Sequence, residues 1–272
     1  MVNKNLKQNK KINWIIIFAS LFLVAAIISL SFLANDNNRA KEQPQISDTV
    51  SSEPQSDDFI FMESILYGGA RLFQYKGVSK EVIVPESYNG MPVTRVAADA
   101  FRGNKYITSV VFPKNLESIG TDALRDCPNL ASVSLPKDLK LLSSYVFYNC
   151  VSLESIELPD GMEIIDEYLF CGCKGLESIT LPKCLKSIGK SAFSGCVALT
   201  EISLPDGLTS IDEYAFFNCT GLTEITIPKT VTEIDYLAFY ECNNLTEIKA
   251  YYPLDYYASP SLPEGCSWMV LD

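Results

Sequence analysis

An α/β repeat solenoid is the fold class this sequence predicts, and three observations predict it. The phrase IDEYAFFNCTGLTEITIP at 211–228 returns earlier as IGKSAFSGCVALTEISLP and IDEYLFCGCKGLESITLP, in steps of 23 residues. Within each copy the apolar residues hold constant positions while their neighbours drift. A unit this short cannot enclose a core alone, so it must stack on its own copies.

The chain begins with Lys4, Lys7, Lys10 and Lys11 and no acid, followed by an uncharged apolar run at 14–34. As a helix that run would span roughly 31 Å, the thickness of a bilayer core. The reading is a cytoplasmic basic tail at 1–13 and a transmembrane signal-anchor helix at 14–34, with the remainder exported because the lysines stay inside. The alternative is a cleaved signal peptide and a secreted protein, although the apolar part of such peptides usually covers about 7–15 residues.

Residues 35–58 carry six acids, two bases and almost no large apolar side chain. They cannot bury enough surface to order themselves and read as a disordered stalk. Tail lysines and stalk acids cancel, so the net charge of −11 belongs to residues 59–272. Nucleic acid is thereby excluded as a partner, since phosphates call for a basic face. The chain has no histidine, which removes the commonest general base and zinc ligand.

Seven repeats fill 85–250. Phenylalanine recurs at Phe101, Phe147, Phe170, Phe193, Phe216 and Phe239, with Leu124 in the one gap. Three residues further on stand Cys127, Cys150, Cys173, Cys196, Cys219 and Cys242, with Asn104 in the first copy. Leucine or isoleucine follows, from Ile107 to Leu245, and then a Val/Ile column from Val110 to Ile248. In LTEISLP, Ile202 and Leu204 alternate with polar residues, as a short strand with one buried face requires. Proline then ends each strand because it has no N–H to donate. Stacked copies place these strands in a parallel sheet. The AFFNC segment, too short for more than a turn, is expected to form a helical or 3₁₀ piece on the outer side.

The pattern LxxIxLPxxLxxIgxxAFxxCxx resembles the BspA-type leucine-rich repeat of bacterial and some protist surface proteins. The resemblance implies a curved solenoid with its parallel sheet on the concave face, short helical or 3₁₀ turns on the convex side, and a binding role at the cell surface. It also implies an N-terminal cap at 59–84, a hairpin turning at Gly68-Gly69, and a C-terminal cap at 251–272. It brings no catalytic residue and no cofactor. One departure concerns the bend after the strand, where many leucine-rich repeats carry an asparagine ladder. Asn115, Asp138, Gly161, Cys184, Gly207 and Thr230 form none, so backbone pairing there must come from elsewhere, such as bridges between adjacent turns.

Several residue groups invite a chemical reading. The six column cysteines occupy a core position and read as buried thiols; Cys171, Cys184 and Cys266 lie outside the column and are the candidates for oxidation. Asp166, Glu167, Asp212 and Glu213 are close carboxylates, read as a solvated edge copied by duplication rather than a catalytic pair. Tyr145, Tyr148, Tyr168, Tyr214, Phe217 and Tyr240 flank the Phe column and pack between turns or form an outer patch.

The concave sheet is the expected ligand site. One exposed column runs Ser109, Ser132, Ser155, Ser178, Glu201, Glu224, Glu247. Its neighbour runs Val111, Ser134, Glu157, Thr180, Ser203, Thr226, Lys249. Like charges side by side on a sheet are unfavourable, so Lys249 or a basic ligand is expected to offset the glutamates. These features lead to a non-catalytic, membrane-anchored binding protein whose partner is an extracellular protein or peptide. The alternatives are a self-associating envelope protein, a carbohydrate-binding module and an enzyme with an unrecognised site.

Overall fold

The computed structural model describes residues 56–64, 68–235, 237–251 and 265–271. The tail, the anchor and nearly all of the stalk lie outside these residues, as does most of the C-terminal cap. Among the described residues no helix is long and apolar enough to cross a membrane.

Alternation around the Val/Ile column produces a strand in nearly every copy: Ser109–Val111, Ser132–Ser134, Ser155–Glu157, Ser178–Thr180, Glu224–Ile227 and Glu247–Ala250. Glu81–Ile83 precedes this series and Ser267–Val270 follows it. Neighbours run parallel with like residue over like residue, Ser109 beside Ser132, Ser155 beside Ser178 and Glu224 beside Glu247. Residues 201–203 belong to the series by period but form no bridged strand.

Each copy also contributes a second, shorter strand that the sequence reading did not anticipate. Ser118–Ile119, Leu141–Leu142, Ile164–Ile165, Ser187–Ile188, Ser210–Ile211 and Glu233–Ile234 make up this series. Ile119, Leu142, Ile165, Ile188, Ile211 and Ile234 point inward and are buried. The outcome is a β-solenoid of about eight turns with parallel sheets. At its N-terminal end β1 (Phe59–Ser64) and β2 (Gly69–Tyr75) form an antiparallel hairpin. β2 continues the short-strand sheet by pairing in parallel with Met91–Val96, and Phe59, Leu72 and Tyr75 enter the core.

The core is a set of ladders. Phe147, Phe170, Phe193, Phe216 and Phe239 are fully buried and stack with centroids 5.3–5.4 Å apart and ring planes within 9°. Leu124 interrupts the stack, and Phe101 turns instead to Phe112 and Tyr75, with centroids at 6.1 and 5.3 Å.

The outer side corrects the expectation of helical or 3₁₀ pieces. Among the described residues the only 3₁₀ segment is Ser56–Asp58, ahead of the repeats, and the outer corners are turns. The cause is backbone geometry. Every corner holds two residues in the left-handed region four positions apart: Asp99 and Gly103, Asp122 and Asp126, Tyr145 and Asn149, Tyr168 and Gly172, Ser191 and Gly195, Tyr214 and Asn218, Leu237 and Glu241. A right-handed helix cannot pass through such residues. Alternate amides bond instead to the next coil, as in Phe147 N–H to Leu169 O at 3.0 Å and Phe170 N–H to Ala192 O at 2.8 Å.

The bend without an asparagine ladder closes in two ways. Each proline carbonyl accepts from the N–H three residues on, as in Leu116 to Pro113 at 3.0 Å and Leu208 to Pro205 at 3.0 Å. Past the bend the amides bridge to the preceding coil, as in Lys186 N–H to Glu163 O at 2.7 Å.

Candidate functional site

Strand alternation sets the long-strand face. In Glu224–Ile227 the isoleucines are buried, while Glu224 and Thr226 face solvent. The same holds up the stack: Ser132, Ser155, Ser178, Glu201 and Glu224 are exposed in one column, and Val111, Ser134, Glu157, Thr180, Ser203 and Thr226 in the next. Ser109, Glu247 and Lys249 are half-buried.

Of the three glutamates expected in line, the structure puts two in register. Glu224 lies beside Glu247, and Thr226 beside Lys249. Lys249 Nζ reaches Glu224 Oε2 at 2.7 Å and Glu247 Oε2 at 3.4 Å. The hydrogen bond from Lys249 to Glu224 raises the ammonium above its ordinary range, so the cation persists wherever the carboxylates do. One lysine therefore serves two carboxylates. Glu201 sits where the strand ladder lapses and has no ion pair among the described residues. The C-terminal half of the face thus keeps a surplus of negative charge, and the N-terminal half is hydroxylic.

The face also extends further than the repeat columns suggested. Glu81 pairs with Ser109 and Ile83 with Val111, while Ser267 pairs with Glu247 and Met269 with Lys249. Ile83 and Met269 are exposed apolar residues at its two ends. The strand at Glu81–Ile83 carried a signal, the alternation EVIVP ending in proline, but Val82 precedes Val110 by 28 residues and so fell outside the period. Ser267–Val270 has no proline after it and gave none.

The other groups resolve into packing. The six column thiols are buried, and each points at a Phe-column carbonyl or its equivalent one coil back, Cys127 to Phe101 O at 3.2 Å and Cys196 to Phe170 O at 3.2 Å. Burial pushes the Cys127 thiol up to about 12 and raises those of Cys150, Cys173, Cys196 and Cys219 well above the ordinary thiol value. Cys171, Cys184 and Cys266 are half-buried, and all nine cysteines are free thiols. Burial also lifts the Cys171 thiol, to about 11, which disfavours the reactive thiolate.

Asp166, Glu167, Asp212 and Glu213 fall on an outer edge, where Glu213 pairs with Lys190 at 2.7 Å. Burial and the nearby Asp235 raise the Asp212 carboxyl. No group of three or more Cys, Asp or Glu among the described residues could hold a metal ion. The outer aromatics are half-buried and pack from coil to coil. Tyr145 and Tyr168 stack at 4.7 Å, and Arg125 lies over Tyr148 at 4.5 Å while pairing with Asp122 and Asp126.

A coil of repeating short parallel strands over leucine, phenylalanine and cysteine ladders defines a leucine-rich repeat solenoid. The BspA type leucine rich repeat region matches this chain in six copies, over residues 68–174, 94–196 and 141–259. The chain belongs to that family.

Among solved structures it is similar to the leucine-rich repeat protein of T. pallidum, with 30% identity and a TM-score of 0.68, covering 71% of this chain and 90% of that one. It is also similar to a leucine-rich cell surface protein of Faecalibacterium prausnitzii, with 27% identity and a TM-score of 0.64, covering 79% of this chain and 57% of the other. A leucine-rich repeat protein from Bacteroides ovatus shares the fold at 22% identity and a TM-score of 0.52, over 75% of this chain and 65% of that one. No functionally curated protein matches.

Proposed function

We propose that the chain is a cell-surface, non-catalytic binding scaffold whose long-strand face takes a basic segment of an extracellular protein. Its acidic end would be the contact. The observation that carries this reading is the uneven neutralisation of the glutamates, with Lys249 between Glu224 and Glu247 and no ion pair at Glu201 among the described residues. A solvated like-charge ladder is unfavourable, and a lysine- or arginine-bearing strand laid across it would remove that repulsion. The hydroxyls of Ser132, Ser155, Ser178, Thr180, Ser203 and Thr226, together with Glu157, supply adaptable polar contacts along the same face. Surface display rests on the apolar run at 14–34 as an anchor and on the cell-surface relative from Faecalibacterium prausnitzii.

A fluorescent lysine- and arginine-rich peptide tests the site by anisotropy against residues 50–272, a compact unit that holds the core formed by the described residues. The triple variant Glu201→Lys, Glu224→Lys, Glu247→Lys is expected to weaken binding at least roughly tenfold. A control changes the charge equally but elsewhere, at exposed bend positions: Asp138→Lys, Asp160→Lys, Asp206→Lys. Equal losses in the two variants would mean that net charge, not this face, holds the peptide.

A further inference from the structure

Except at Arg95 and Ser210, the short-strand face carries a pattern that reads the same from both ends once chemistry is exchanged for its complement. Its outward column runs Arg71, Arg95, Ser118, Leu141 in one sheet and Ile164, Ser187, Ser210, Glu233 in the next, the two following one another by the 23-residue period. The arginines and the glutamate occupy opposite ends. The centre is apolar, with Leu141 51% and Ile164 57% exposed, although each belongs to a strand whose next residue is buried. The adjoining column, one residue earlier in each coil, runs Thr94, Glu117, Lys140, Glu163, Lys186, Thr209, Thr232. Its four central members alternate in sign.

From this arrangement we infer that the short-strand face is a self-complementary surface, occupied by a second copy of this chain lying antiparallel across it. A two-fold axis between the Leu141 and Ile164 coils brings Leu141 against the partner's Ile164. The same rotation sets Glu117 against the partner's Lys186 and Lys140 against the partner's Glu163, each occurring twice by symmetry. At the ends Arg71 meets the partner's Glu233. The shallow depression lined by Met62, Glu63, Arg71, Thr94 and Arg95 would receive that carboxylate.

Register is fixed by repulsion as well as attraction. Sliding the partner by one coil opposes Lys140 to its own copy and Glu117 to Glu163, or Glu163 to its own copy and Lys140 to Lys186. Like charges in contact then exclude both neighbouring registers. The acidic end gains most from the pairing, because Asp212 there has its carboxyl raised by burial and further by the nearby Asp235 and Glu233. Eight coils at about 4.8 Å make the face about 38 Å long but only two side-chain columns wide, the size of a weak contact. This surface is separate from the long-strand face, so either assignment can fail without the other.

Sedimentation equilibrium of residues 50–272 over a hundredfold concentration range tests the pairing, with a thermal melt of every variant. The expected result is a monomer–dimer equilibrium that weakens as salt rises. Lys186→Glu and Glu117→Lys should each weaken the dimer roughly tenfold, and the double variant Glu117→Lys, Lys186→Glu should restore it. Ile164→Lys should abolish the dimer with the melt unchanged, since the side chain is exposed. A chain that stays monomeric throughout, a swap that fails to restore association, or a dimer that survives Ile164→Lys would each overturn the inference.

Discussion

Cysteine at the column position does more than fill space. A leucine there would pack as well, but a thiol can also donate weakly to the carbonyl one coil back, as Cys150 does to Leu124 at 3.2 Å. The consequence is a pH dependence with a definite sign. An unfolded thiol loses its proton near its ordinary value of 9.0, whereas the folded Cys127 holds its proton up to about 12. Stability is therefore fully present below the unfolded value and is lost as pH climbs through that window, at about 1.4 kcal/mol per pH unit for each thiol raised in this way. The melting temperature should be flat through neutrality and fall steeply above about pH 9. A midpoint unchanged up to about pH 11 would show that these thiols are not buried in the folded state.

At the scale of the element, the outer corner is the informative part. The second of its two left-handed positions holds Gly, Asn or Asp in six of seven copies, and Glu241 is the exception, with φ 61° and an exposed side chain. A residue with a Cβ is strained there by about 1 kcal/mol, so Glu241→Gly should stabilise the domain by about 0.5–1 kcal/mol in urea unfolding. A loss of stability would mean that the corner is not left-handed.

The phenylalanine ladder predicts the opposite sense. Phe193 lies between Phe170 and Phe216 with no exposed surface, so Phe193→Ala should cost about 3–5 kcal/mol through lost burial and the cavity left behind. A cost below about 1 kcal/mol would place that ring outside the core.

For the molecule as a whole, the stacking of copies was legible because one spacing governs Phe, Cys, Leu and Ile together. The long strands were legible for the same reason, since Ile202 or Ile225 flanked by polar residues alternates visibly. The short strands were not. Two residues such as Ser118 and Ile119 are too few to show alternation.

The left-handed corners were hidden because their occupants, Asp99, Tyr145, Ser191 and Leu237, share a backbone conformation but no chemistry. The glutamate site was half legible. Period predicted that Glu224 and Glu247 would align, but not the lapse of the ladder at 201–203, which nothing in those residues explains. The charge alternation from Glu117 to Lys186 was invisible until the bends were seen to lie on one face.

Amide hydrogen exchange on residues 50–272 examines the stacking itself. The slowest amides should recur every 23 residues, at Phe147, Phe170, Phe193 and Phe216, each bonded to the coil that follows it. Protection without that period, or confined to a few isolated segments, would contradict a continuous coil.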